Sequence, residues 1–265
     1  MLQKIFVFAT LIFLSYSLAL AQYNGDPRLA PISADALRKA IKSTPIDSPS
    51  HFHLLSRAYD VNLAKNAYEQ YALLWKNSPN DANTNLLVGI AAKQYMKQAM
   101  LQTSDPETTK RQIKRYNALH LICRARLAES VKLAPDSTTA HVAYGFFLWQ
   151  NDNQQEKGLR LVKKGVALNP KSTGGHATLG AIYSNSSGKA YNPTKAITEL
   201  KTAIALDSKF AYPHERLAWL YVELKKYKEA KRSFEKLLSL SPDNTIKKPA
   251  MQLLQSLINK GLSSR

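Results

Sequence analysis

The sequence runs to 265 residues and carries 37 Lys and Arg against 19 Asp and Glu, a formal net charge of +18, with one cysteine. A lone cysteine excludes an internal disulfide framework, so the chain has to be held by packing alone. The positive balance favours anionic partners or surfaces and says nothing about fold.

The first element is a leader. Lys4 precedes an apolar run from Ile5 to Leu20, and Ala19-Leu20-Ala21 stands immediately before the polar Gln22. A charged start, an apolar stretch and a small-x-small site make a secretory signal peptide cleaved after Ala21. The run falls short of the ~20 apolar residues that span a bilayer. The expectation is an exported protein, periplasmic or extracellular, with no transmembrane segment once residues 1–21 are removed. Residues 22–47 form an extension, in which 22–32 carry no structural signal and Ser33 offers a cap for a short covering helix over 34–42.

From residue 48 the sequence repeats itself. An apolar helical run ends in a proline in "WKNSPND" (Pro79), "VKLAPDS" (Pro135), "VALNPKS" (Pro170) and "LSLSPDN" (Pro242), and "IALDSKF" has Ser208 at that place. Upstream of these terminators recurs an apolar residue, a small one, then an aromatic or aliphatic one: Val88-Gly89-Ala92, Tyr144-Gly145-Leu148, Leu179-Gly180-Tyr183 and Leu217-Ala218-Tyr221. Between the two signals lie the small residues Ala67, Gly158, Ala196 and Ala230. Apolar residues recur at three and four, the period of amphipathic helices. The small residues let paired helices approach closely. One pair cannot bury its own apolar stripe, so neighbours must stack.

These residues resemble the tetratricopeptide repeat, a helix-turn-helix unit. The last unit matches best, with Leu217, Ala218, Tyr221, Ala230, Phe234 and Pro242 at the family's consensus places. The resemblance implies an all-α superhelix, a solenoid of about five such units at 48–81, 82–137, 138–172, 173–210 and 211–244. The second unit is overlong. Its "SDPETTKRQIKRYN" offers Asp105 as a cap with Pro106 in the first turn, and the insertion is expected to lengthen both helices of the pair into a projecting hairpin. The fourth unit carries an enlarged loop, "SNSSGKAYNPTK", which includes the formal glycosylation sequon Asn185-Ser186-Ser187. Residues 245–265 supply a capping helix and tail: Pro249 suits a first turn, Met251, Leu254 and Ile258 make one apolar stripe, and Gly261 is a stop.

Signals for chemistry are sparse. There is no G-x-S-x-G, P-loop, H-E-x-x-H or C-x-x-C. His51, His141, His176 and His214 fall at equivalent places in their units, but packed helices stand 8–10 Å apart, whereas one zinc needs its ligand atoms within about 2.1 Å. They are read as packing residues, and no metal or cofactor is expected. Cys123 has His120 one helical turn away and is read as a buried, inert thiol. Glu129 is read as a solvated helix residue. The chain is therefore expected not to be an enzyme.

In proteins of this family the first helix of each unit lines a concave groove. Carried over position by position, the resemblance implies partner contacts at Phe52 and Tyr59, at Leu86, Ile90 and Lys93, at Phe146, Trp149 and Gln150, and at Tyr212, Glu215, Trp219 and Glu223. Six of these are aromatic, and aromatic side chains supply large contact area at small entropic cost. The Lys/Asn clamp with which chaperone-binding relatives hold C-terminal carboxylates is absent. The basic residues lie elsewhere: Lys110, Arg111, Lys114 and Arg115 on the projecting hairpin, others on second helices. The expectation is a protein- or peptide-binding scaffold. Two alternatives compete with it: binding of an anionic polymer or membrane surface through the basic convex face, and service as the accessory subunit of an envelope enzyme. Nucleic acid is the weakest partner, because the sequence has no recognisable nucleic-acid module.

Overall fold

The computed structural model describes residues 33–45, 61–98 and 105–240, together with 252, 255 and 256. The leader, Phe52 and Tyr59, His51, residues 99–104 and nearly all of the C-terminal capping helix lie outside the described residues. Among the described residues ten helices are delimited, in order: α1 Ala34–Ser43, α2 Val61–Asn77, α3 Ala82–Gln98, α4 Pro106–Leu133, α5 Thr138–Asn151, α6 Gln155–Leu168, α7 Thr173–Tyr183, α8 Pro193–Leu206, α9 Ala211–Glu223 and α10 Tyr227–Leu240. After α1 and α2, they pair as the antiparallel hairpins α3–α4, α5–α6, α7–α8 and α9–α10. Helix α1 is capped by Ser33, whose Oγ accepts from Ala36 N–H at 3.2 Å, and it packs on α2 through the fully buried Leu37 and Ile41.

One short device joins the hairpins. The chain leaves a second helix, makes a four-residue turn, and the fourth residue caps the next helix. Ser137 N–H donates to Ala134 C=O and Ser172 N–H to Asn169 C=O, both at 3.0 Å, with Pro135 and Pro170 at the second place of the turn. Proline suits that place because its ring fixes φ near −65°. Ser137 Oγ then accepts from Ala140 N–H (3.2 Å) and Ser172 Oγ from Gly175 N–H (3.1 Å). Asp81 does the same for α3, taking Thr84 N–H at 2.7 Å. The turn at Ser208 has the same bond, Phe210 N–H to Asp207 C=O at 3.2 Å, but Phe210 has no side-chain acceptor to cap α9.

Inside a hairpin the small residues set the spacing. A Cβ on Gly145 would stand 2.6 Å from Gly158 O, and one on Gly158 would stand 2.7 Å from Trp149 N, so the backbones of α5 and α6 are in contact. Buried clusters succeed one another along the chain: one reaches from Leu37 to Leu148, the next is built on Phe146, Trp149, Val162 and Ile182, and a third on Leu217, Phe234 and Leu237. Each hairpin thus packs within itself and on its neighbours in the chain.

The insertion in the second unit goes mostly into one helix. Helix α4 has 28 residues against 14 in α6, α8 and α10. Helix α3 has 17, not much more than the 14 of α5. Among the described residues both helices are longer than their counterparts, α4 by far the more, and Asp105 caps it as expected, taking Thr108 N–H at 2.9 Å with Pro106 in the first turn. The loop of the fourth unit occupies 184–192. Ser187 N–H donates to Asn185 Oδ1 at 3.0 Å, and Asn192 N–H returns to Tyr183 C=O at 2.8 Å.

Candidate protein-binding groove

The first helices form one inner row. Helix α3 touches α5, α5 touches α7 and α7 touches α9, while each second helix packs on its own partner and on the first helix of the next unit. The inner row is where the sequence places the partner contacts, and burial sorts them into a floor and a rim. Leu86, Phe146, Trp149, Tyr212 and Glu215 are buried. Ile90, Lys93, Gln150 and Trp219 are half-buried, and Glu223 is exposed.

The floor is an aromatic stack with a cation on it. Phe146 and Trp149, three residues apart on α5, lie nearly parallel with centroids 5.9 Å apart. Lys93 of α3 sets its Nζ over the Phe146 ring at 4.4 Å. Burial lowers the Lys93 ammonium to about 8, with the Cys123 thiol behind it. That thiol is fully buried and pushed up to about 12, so it is neutral and inert. One turn along α3 stands Lys97, also lowered to about 8, by burial first and by Lys93 second, with Glu215 of α9 opposing the shift. Sequence reasoning misses Lys97. It lies outside the carried-over positions, although its spacing of four from Lys93 puts both on one helical face. At the far end Trp219 meets Phe234 edge-on, centroids 5.6 Å apart at 84°. Arg216 on α9 donates to Ser184 Oγ of the preceding unit at 2.5 Å.

The groups weighed for chemistry are engaged in structure. His176 faces Glu199 at 2.7 Å through Nδ1 and donates to Pro170 C=O at 2.9 Å through Nε2. His141 donates from Nδ1 to Ser137 C=O at 2.9 Å. Nε2 of His214 meets Ser208 C=O at 3.4 Å. His120 stacks on Tyr116 and meets Asn151 C=O at 3.1 Å, and Arg124 reaches Asp152 at 3.3 Å; together they tie α4 to the end of α5. Glu129 bridges to Lys132 at 3.1 Å. Among the described residues no group of three or more His, Cys, Asp or Glu could hold a metal ion.

The basic residues of α4 are placed differently. Lys110, Arg111, Lys114 and Arg115 are all exposed, and Arg115 lies over the Tyr95 ring at 5.9 Å. The same helix exposes two large apolar side chains, Ile113 at 48% and Leu121 at 65%.

This architecture defines a class: a succession of stacked helical hairpins has no closed core and presents an inner row of helices as its working face. Comparison with known proteins agrees. The tetratricopeptide-repeat family model matches residues 211–244, so the last hairpin is a tetratricopeptide repeat. The fold is shared with the crystal structure of TTC0263, a thermophilic TPR protein of Thermus thermophilus, at a TM-score of 0.56 and 17% identity, over 79% of this chain and 97% of that one. Weaker likenesses include MamA (TM-score 0.45, 21% identity, 67% of this chain and 88% of that) and YrrB, a TPR protein with an unusual peptide-binding site (TM-score 0.45, 14% identity, 83% and 100%). The search among curated proteins returns no match. Among the described residues the chain is thus an all-α superhelix that shares its fold with tetratricopeptide-repeat proteins.

Proposed function

We propose that this protein is an exported scaffold that grips a protein or peptide partner along the inner row of helices and catalyses nothing. The inner row itself carries this reading. It offers an aromatic floor of Phe146, Trp149 and Tyr212 and a reachable rim of Ile90, Lys93, Gln150 and Trp219, which is the composition of a contact surface. Catalysis finds no support in a thiol that is neutral and buried or in histidines committed to backbone carbonyls. Export rests on the leader at 1–21; the mature protein in a fractionated envelope should begin at Gln22, and an intact N-terminus there would sink that part.

The test of the groove is a peptide selection on the wild-type protein. Selected peptides should bind tenfold or more weakly to Trp219→Ala, because removing an interface aromatic costs about 2 kcal/mol. They should bind unchanged to the protein with Lys110, Arg111, Lys114 and Arg115 reversed to Glu. The converse pattern would assign binding to the outer helix. A second reading has an observation of its own: α4 sets the exposed Ile113 among those four cations and exposes Leu121 further along the same helix, a mixture that suits adsorption to an anionic membrane. Vesicles containing anionic lipid should take up the wild type at low salt and release it as salt rises; the reversed variant should stay in solution. Among the described residues no helix is long and apolar enough to cross a membrane.

A further inference from the structure

The protein has cations to spare, and among the described residues every lysine but two is exposed. Lys93 is half-buried in the aromatic floor, and its Nζ rests on the Phe146 ring 4.4 Å away. Among the described residues it has no ion pair and no hydrogen bond. Among the described residues the Cys123 thiol lies behind it, and burial keeps that thiol uncharged. Lys97 repeats the situation one turn further and is lowered in addition by the charge of Lys93. Among the described residues the one carboxylate acting on Lys97 is Glu215, buried on α9, and none acts on Lys93. Two half-buried ammonium groups therefore have less than one carboxylate each.

Such an arrangement is costly. A desolvated charge is retained only where something neutralises it, and a cation over an aromatic ring recovers part of the lost hydration at most. The rest of the inner row supplies little: α5 presents Phe146, Trp149 and Gln150 there. The missing element is one negative charge, and it must come from outside the described residues. A lysine pair on one helical face at a spacing of four fits a single carboxylate approached from the groove, and the aromatic floor beside it fits an apolar or aromatic neighbour in the same ligand.

We infer that the groove takes an acidic peptide, with an Asp or Glu side chain seated between Lys93 and Lys97 and an aromatic or apolar neighbour on the Phe146–Trp149 stack. This rests on the reading of the inner row as a peptide site and adds the ligand's charge, its anchoring residues and its polarity. The outer cations have no part in it, because they are exposed and screened.

The experiment uses fluorescein-labelled, C-terminally amidated decapeptide pools built from Tyr, Leu, Ser and Ala, with two fixed Glu in one pool and two fixed Gln in the other. Fluorescence anisotropy on the full protein should give at least tenfold tighter binding of the Glu pool. That ratio should fall to about one in K93M/K97M and persist in the protein reversed at Lys110, Arg111, Lys114 and Arg115. A Gln pool with a free C-terminal carboxylate should bind like the amidated Gln pool. Equal binding of the Glu and Gln pools to the wild type would overturn the inference and leave the groove reading standing. No binding of any pool would overturn both. A ratio lost in the outer variant, or tight binding of the free-acid Gln pool alone, would also overturn it. Folding provides an independent check: methionine in place of two under-neutralised lysines should leave the melting temperature equal or higher. A lower one would mean that the lysines hold the fold together, and the inference would fail on that ground too.

Discussion

The inner row and the outer face of α4 are made from similar residue types and treat them in opposite ways. On α4 the four cations and the two large apolar side chains stand in water, and none is specified by a neighbour beyond the long contact of Arg115 with Tyr95. On the inner row a cation, two stacked rings and a carboxylate are drawn from α3, α5 and α9 into one place. Among the described residues every lysine except Lys93 and Lys97 belongs to the first kind of surface. Charge count therefore does not locate the charge that matters; burial does.

The comparison breaks first at Trp149. It is buried, and its removal should lower the unfolding free energy by about 3–5 kcal/mol. Reversing a cation on α4 should cost about 0.5 kcal/mol or less per site. Urea denaturation of the two variants decides it, and comparable losses would mean that α4 is as tightly specified as the inner row. Trp149→Ala is for the same reason a poor probe of binding, whereas the half-buried Trp219 is a good one.

The next effect concerns the α5–α6 contact that aims Trp149. Gly158→Ala gains about 1 kcal/mol of helix propensity but drives a methyl into Gly145 O and Trp149 N. A net loss of roughly 1–3 kcal/mol is expected, read as a drop in thermal midpoint. A neutral result would mean that the two helices can part without cost.

The third effect is a pH dependence. Lys93 and Lys97 sit near 8 in the fold, below the usual 10.5. Between those values the unfolded chain binds more protons than the fold, so their contribution to stability rises with pH; below about 8 their cost is complete. The buried Cys123, raised from 9.0 to about 12, acts in the opposite direction above pH 9, as does Tyr71 at higher pH. The quantity to measure is therefore the stability difference between K93M/K97M and wild type. It should be largest at pH 7 and vanish towards pH 10.5. A difference independent of pH would show that the inner lysines are as well solvated as the outer ones.

The smallest effect lies at the turn that closes α9. Lys225 has φ of 57°, and Lys226 N–H reaches back to Tyr221 C=O at 2.8 Å. This is a left-handed helix end that favours glycine. Lys225→Gly should stabilise the protein by about 0.5 kcal/mol in chemical denaturation, although it removes a surface cation. A loss would mean that this charge is worth more than its backbone strain.

Much of the fold is legible because it is written locally. Pro79, Pro135 and Pro170 mark turns whose fourth residues, Asp81, Ser137 and Ser172, are themselves capping residues. Even Ser208, with no proline ring, stands in a turn of the same kind. In the insertion, Asp105 and Pro106 announce where α4 starts, but its length depends on contacts that no local signal records. The groove is legible only as a row of positions. That Leu86, Phe146 and Tyr212 are floor and Trp219 rim depends on how closely the first helices of successive units approach, and no single unit encodes that. Lys97 escapes notice for a related reason: its significance comes from Glu215, 118 positions away in the chain.

Cys123 has a practical corollary. It is the sole thiol of the chain, it is fully buried between helices, and it holds its proton to about pH 12. The native molecule is therefore silent towards maleimides and disulfide reagents, which attack the thiolate. A cysteine introduced at an exposed place such as Lys110 can be labelled alone, with no native residue to be removed first. The same silence makes Cys123 a clock. It reacts only when the packing around α4 opens, so its labelling rate against reagent concentration reads how often the middle of the solenoid comes apart while both ends remain folded.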